Sequence, residues 1–151
     1  MVGANLIADD EETTMSYAQE ILAASPSRVP GVPVETLAAA VTALFDCSQA
    51  ATTCADACLG EREPQRLDAL ARCIRLDLHC ADMTVTTGRL LSRQEQPALA
   101  RAVVAACILS CRLCGEECEK HAAHMAHCRV CAAACRRCEA ACQAVLATLP
   151  A

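Results

Sequence analysis

Aromatic residues are nearly missing from this 151-residue chain, which has Phe45, Tyr17 and no Trp. Cores usually take much of their apolar area from such rings, so an interior built here has to be narrow and made of small side chains. Small side chains also let helices approach closely. No segment alternates polar and apolar residues with a period of two, so strands are not expected. Basic blocks interleaved with aromatics are lacking, and the net charge is −5. Nucleic acid is therefore not an expected partner. No apolar stretch long enough to cross a bilayer runs free of charges, so no membrane partner is expected. Asp9, Asp10, Glu11 and Glu12 stand where the apolar part of a signal peptide would be, and there is no twin-Arg pair. The expected location is cytoplasmic, where thiols stay reduced.

What the chain has is cysteine, fourteen residues of it. In a short secreted chain that density suggests a disulfide scaffold, but in the cytosol it points toward metal. Most of the cysteines recur at spacings of three, four or seven. The run Cys128, Cys131, Cys135, Cys138, Cys142 is the clearest case. A disulfide framework, a zinc finger and a redox pair would each be spaced differently.

The length fits one folding unit. Residues 1–33 read as an N-terminal extension: an acidic start over 1–11, a short helix over 12–24, and a connector stiffened by Pro26, Pro30 and Pro33. Residues 34–151 read as a Cys-rich four-helix bundle. Its helices are expected at about 33–59, 64–92, 97–121 and 124–149, with Pro33, Pro64 and Pro97 at three starts and Gly60 and Pro150 at two ends. Gly88 is expected to weaken the last turn of the second bundle helix. Short loops between four helices predict an all-α, antiparallel up-down-up-down arrangement.

At 100° per residue, Cys128, Cys131, Cys135, Cys138 and Cys142 fall within an arc of roughly 80°. Cys107, Cys111, Cys114 and Cys118 fall within roughly 60°, Cys47, Cys54 and Cys58 within roughly 40°, and Cys73 and Cys80 lie about 20° apart. Each helix thus carries one sulfur stripe, and in a bundle that stripe is the inward seam. With alternating helix directions, Cys54, Cys58, Cys73, Cys114, Cys118, Cys128 and Cys131 gather toward one end. Leu44, Leu90, Leu91, Val103, Val104, Leu146 and Leu149 gather at the other and form an apolar plug. His121, His124, Met125 and His127 lie at the sulfur-rich end and suggest a mouth that admits a soft or borderline metal. His79 lies off its stripe and reads as a surface residue. Asp77 lies on the stripe between Cys73 and Cys80. It is either a ligand or, the reading favoured, a hydrogen-bond acceptor for a neighbouring thiol or threonine.

The stripe on the last helix runs about 21 Å, too long for one site. Cu(I) prefers thiolates and tolerates low coordination, so sulfurs that bridge from one ion to the next could hold many ions. Zinc would want separate tetrahedral sites and fewer ions. A thiol oxidoreductase using Cys111/Cys114 or Cys131/Cys135 is the remaining alternative, without the βαβ context of such enzymes.

The segments Cys54-Ala-Asp-Ala-Cys58, Cys73-Ile-Arg-Leu-Asp-Leu-His-Cys80, Cys111-Arg-Leu-Cys114-Gly-Glu-Glu-Cys118 and His127-Cys128-Arg-Val-Cys131-Ala-Ala-Ala-Cys135-Arg-Arg-Cys138-Glu-Ala-Ala-Cys142 resemble the cytosolic four-helix-bundle copper storage proteins. The resemblance covers roughly residues 34–148. It implies a non-enzymatic store that binds several Cu(I) ions on lumenal thiolates, with histidines at the open end, in a homotetramer. All fourteen cysteines and His121, His124 and His127 become candidate ligands by that resemblance. Asp77 and Thr84 depart from a fully sulfur-lined second helix.

Overall fold

Proline and capping chemistry set where the helices begin. The computed structural model describes residues 15–94 and 96–151. Five helices span Tyr17–Ala24 (α1), Val34–Leu59 (α2), Pro64–Arg93 (α3), Pro97–His121 (α4) and Ala126–Thr148 (α5). No strand occurs among the described residues. Pro64 and Pro97 are the first residues of α3 and α4. A first-turn N–H has no partner within the helix, so its loss there costs nothing, and the fixed φ suits the helix.

The first helix is shorter than expected. Its start at Tyr17 follows from a capping box: the Gln19 N–H donates to Ser16 Oγ at 3.2 Å, and the Ser16 N–H donates to Gln19 Oε1 at 3.4 Å. Those bonds hold Ser16 extended and stop the helix from running back. The acidic segment 1–11 and the expected helical residues 12–14 lie outside the described residues. The last helix also starts later than expected. Met125 is its extended N-cap, so His124 lies in the turn before it.

α2 packs against α3 and α5, and α4 packs against the same two helices. α1 lies on α2. Close approach depends on glycine at two points. A Cβ on Gly88 would stand 3.1 Å from Phe45 Cζ, so this glycine makes room for the one Phe ring. It lies inside α3, and packing explains it, not a weak last turn. A Cβ on Gly115 would stand 3.3 Å from Cys135 Cβ, so α4 and α5 touch there almost backbone to backbone.

At the end away from His127, Leu44, Leu91, Val104 and Leu149 are buried. Leu90, Val103 and Leu146 are partly buried. Arg101 donates to the carbonyls of Leu149 at 2.9 Å and Leu146 at 3.4 Å, which places a cation on the C-terminus of α5. A cavity of about 240 Å³ lies here, walled mainly by Val29, Leu37, Leu91, Leu99 and Leu149. By length and composition α4 is apolar enough to cross a membrane, although Arg101 and Arg112 interrupt its apolar run. Alanine, valine and leucine continue around the face of α4 away from the cysteines.

Candidate metal centre

All fourteen cysteines are buried and unpaired by disulfides. Their sulfurs face one another across helices. Cys47 Sγ is 3.8 Å from Cys80 and from Cys135, Cys54 is 3.8 Å from Cys128, and Cys73 is 3.7 Å from Cys118. Cys80 reaches Cys111 and Cys135 at 3.9 Å, and Cys114 reaches Cys131 at 4.0 Å. A disulfide would need about 2.05 Å. With a metal–thiolate bond of about 2.3 Å, two sulfurs on one trigonal or tetrahedral ion lie about 3.8–4.0 Å apart. The observed spacing is therefore already the spacing of sulfurs that share an ion.

The thiols group into overlapping sets whose donor atoms lie within 4.8 Å of one another. One set is Cys54, Cys58, Cys73 and Cys128; a second is Cys54, Asp77, Cys118 and Cys131. Further along are Cys47 with Cys80 and Cys135, Cys47 with Cys111 and Cys138, and Cys107 with Cys138 and Cys142. Cys54, Cys47 and Cys138 each belong to two sets. Shared members join these sets into two runs, one through Cys54 and one through Cys47 and Cys138, and the sulfur contacts of Cys114 and Cys80 lie between them.

The structure treats the four residues of the expected mouth differently. His127 Nδ1 lies 3.5 Å from the sulfurs of Cys54 and Cys128 and 3.9 Å from that of Cys58. Its Nε2 is 3.8 Å from Glu61 Oε1. His121 ends α4, and its buried Nε2 is 3.6 Å from Glu117 Oε1, too far for a hydrogen bond. His124 is exposed, and Met125 is partly buried against the core. His79 is exposed. A groove of about 430 Å³ between α2 and α5 opens over Cys54 and His127, beside Gln49, Thr53 and Arg137.

Asp77 is fully buried. Its Oδ1 accepts from the thiols of Cys114 at 3.1 Å, Cys118 at 3.3 Å and Cys131 at 3.6 Å, and its Oδ2 faces Cys73 at 3.8 Å. Burial, then the Cys131 sulfur, push its carboxyl up to about 7, against the pull of the Cys114 thiol. Hydrogen bonding also splits the thiols. Contacts from Cys111 and Cys135 draw Cys47 down, while contacts to Cys107, Cys138 and Cys47 push Cys111 up. Contacts with Cys111 and Cys114 lower Cys80 to about 6. Protons are thus shared through the lattice, and a bound cation can take their place.

The profile of the family described as copper storage protein matches residues 34–147. The chain belongs to the copper storage protein family. The copper storage protein Ccsp of Streptomyces lividans, in a structure loaded with 10 copper equivalents, is 45% identical. It aligns over 87% of this chain and 99% of its own length, with a TM-score of 0.81. The Cu(I)-bound copper storage protein BsCsp3 is 32% identical over 72% of this chain and 95% of its own, with a TM-score of 0.64. The cysteine-rich protein YhjQ of Bacillus subtilis is 34% identical over 72% of this chain and 94% of its own.

Three residues near the copper storage family's cysteine stripes escaped the sequence reading. Thr87 is fully buried, and it extends the spacing Cys73, Asp77, Cys80, Thr84 by one more step. The same angular arithmetic could have found it. Thr84 and Thr87 both turn their hydroxyls to backbone carbonyls of α3, those of Cys80 and Met83, at 2.7 Å. Glu117 is 5% exposed and joins Arg72 at 3.1 Å to Lys120 at 2.7 Å. Burial disfavours its charge, but Lys120 and then Arg72 outweigh that and hold the carboxyl below its usual range. The spacing of Glu117 to Lys120 and His121 was a readable signal. Glu61, beside His127, follows Gly60 in a turn and left no such signal.

Proposed function

We propose that this chain is a cytosolic, non-enzymatic store of Cu(I) that holds several ions on its lumenal thiolates. The observation that carries the reading is the overlap of the thiol sets through Cys54, Cys47 and Cys138. Bridging sulfurs suit soft, low-coordinate Cu(I) better than isolated tetrahedral ions. The S. lividans relative loaded with 10 copper equivalents and the Cu(I)-bound BsCsp3 support the same cargo. A relative described as a cytosolic copper storage protein supports the location. The burial of Cys111, Cys114, Cys131 and Cys135 argues against an oxidoreductase, whose attacking thiol must be reached.

In this reading residues 34–151 form an up-down-up-down antiparallel bundle, and residues 1–33 are an extension outside it. Short connections and the ring of contacts α2–α3–α4–α5–α2 support that order. All fourteen cysteines are ligands. His127 takes the first ion at the mouth, with His121, His124 and Met125 as lesser stations and Asp77 as an oxygen among the sulfurs deeper in. The contacts of His127 to three sulfurs support its priority over the other two histidines. Subunits associate as a homotetramer. Ala102, Ala106, Leu109 and Leu113 form an exposed apolar face on α4 that suits such a contact.

Anaerobic titration of the reduced protein with Cu(I) tests the store. Thiolate-to-copper absorbance should rise past about four equivalents, more than separate four-sulfur sites could take. Saturation at one or two ions contradicts it.

A further inference from the structure

A single carboxylate, Asp77, interrupts the buried sulfur stripes, and thiols from α4 and α5 surround its Oδ1. Asp77 has no cationic partner among the described residues, and its recorded contacts are thiols. Cys54, Asp77, Cys118 and Cys131 bring three sulfurs and one carboxylate oxygen within 4.8 Å of one another. A tetrahedral ion with bonds of about 2.3 Å to sulfur and about 2.0 Å to oxygen sets those two donor types about 3.5 Å apart. Oδ1 lies 3.3 Å from Cys118 and 3.6 Å from Cys131. Carboxylate is a hard donor that Cu(I) uses poorly, whereas zinc accepts mixed sulfur and oxygen sets. A dication also offsets more of the negative charge that three thiolates and a carboxylate would gather in a dry interior.

We infer that Cys54, Asp77, Cys118 and Cys131 form a discrete site for one borderline divalent ion, zinc by chemistry, set within a lattice otherwise suited to Cu(I). The inference rests on the reading that the interior thiols bind metal. It differs from that reading in the ion, the number bound and the oxygen ligand. Cys114, at 3.1 Å from the same oxygen, is the alternate sulfur if Cys54 is engaged at the mouth.

The test is an anaerobic titration of the reduced, metal-free, full-length protein with Co²⁺, followed by Zn²⁺. The first Co²⁺ equivalent should give tetrahedral d–d bands with the charge-transfer intensity of three cobalt–sulfur bonds, and one equivalent of Zn²⁺ should erase them. Asp77→Asn should weaken that first equivalent at least about tenfold, as losing even an outer-shell partner commonly does. Asp82→Asn, which removes an exposed charge on the same helix, should leave it unchanged. Four-sulfur intensity, Co²⁺ spread over equal sites, or Asp77→Asn binding as tightly as the parent would each overturn the site. Should Asp77→Asn lose its helical circular dichroism, the parent spectrum decides alone. Cu(I) titration of the same sample separates the two readings. Normal Cu(I) uptake beside a failed Co²⁺ result overturns only the divalent site, whereas failure of both overturns the store as well.

Discussion

Asp77 on α3 accepts the Cys114 thiol of α4 across the interior at 3.1 Å, in a position with no exposure to solvent. A carboxylate there is tolerable as a neutral acid or beside a cation. In the metal-free protein its folded pKa of about 7 stands above the ordinary value of 3.8. The folded chain therefore holds this proton more tightly than the unfolded chain does. The stabilisation is complete below the unfolded value and is lost as pH rises through about 7. The size is on the order of 4 kcal/mol. Urea unfolding of the reduced apo protein between pH 4 and 7 should show stability falling with pH. The fall should be smaller in Asp77→Asn.

His127→Ala should slow Cu(I) uptake severalfold and leave most of the capacity intact, because the sulfurs His127 meets, those of Cys54, Cys58 and Cys128, are a minority of the fourteen. His124→Ala should change little, since His124 is exposed. Stopped-flow absorbance at limiting Cu(I) separates the two. Equal slowing in both variants would remove the distinction within the mouth.

Cys131→Ser, Cys135→Ser and Cys138→Ser combined should lower the capacity itself. These residues serve separate sets along the lattice, with Asp77, with Cys47 and Cys80, and with Cys107 and Cys142. Bound copper per chain, measured after removal of free ion, checks this. An unchanged ratio would mean that the sets do not hold the ions.

Gly115→Val should destabilise the metal-free protein by about 1–3 kcal/mol through overpacking. Its Cβ would stand 3.3 Å from Cys135 Cβ on the facing helix, and the two further methyl groups of valine add to that crowding. A lowered thermal midpoint with unchanged helix content is the expected result.

Proline positions and the 100° spacing made most of the helices and the inward side of each cysteine legible beforehand. Local chemistry that depends on neighbours was less so. The Ser16–Gln19 box could be read only once the helix start was known. Gly88 reads as a weak point until Phe45 is seen filling the space above it. His127 lies off the stripe of α5, yet in the first turn its ring reaches across to Cys54 and Cys58 near the end of α2. Helical angle describes one helix alone, and this contact depends on how two helix ends meet. His121 illustrates the converse: expected at the mouth, it faces Glu117 on its own helix at 3.6 Å.

Bridging thiolates are expected to hold many ions on one chain. Metal analysis of reduced protein loaded with excess Cu(I), then freed of unbound ion, tests it most directly. A copper-to-chain ratio well above about three, the number that fourteen thiols could hold in separate four-sulfur sites, is the predicted result. A ratio of one or two would mean that the thiols do not act as bridges.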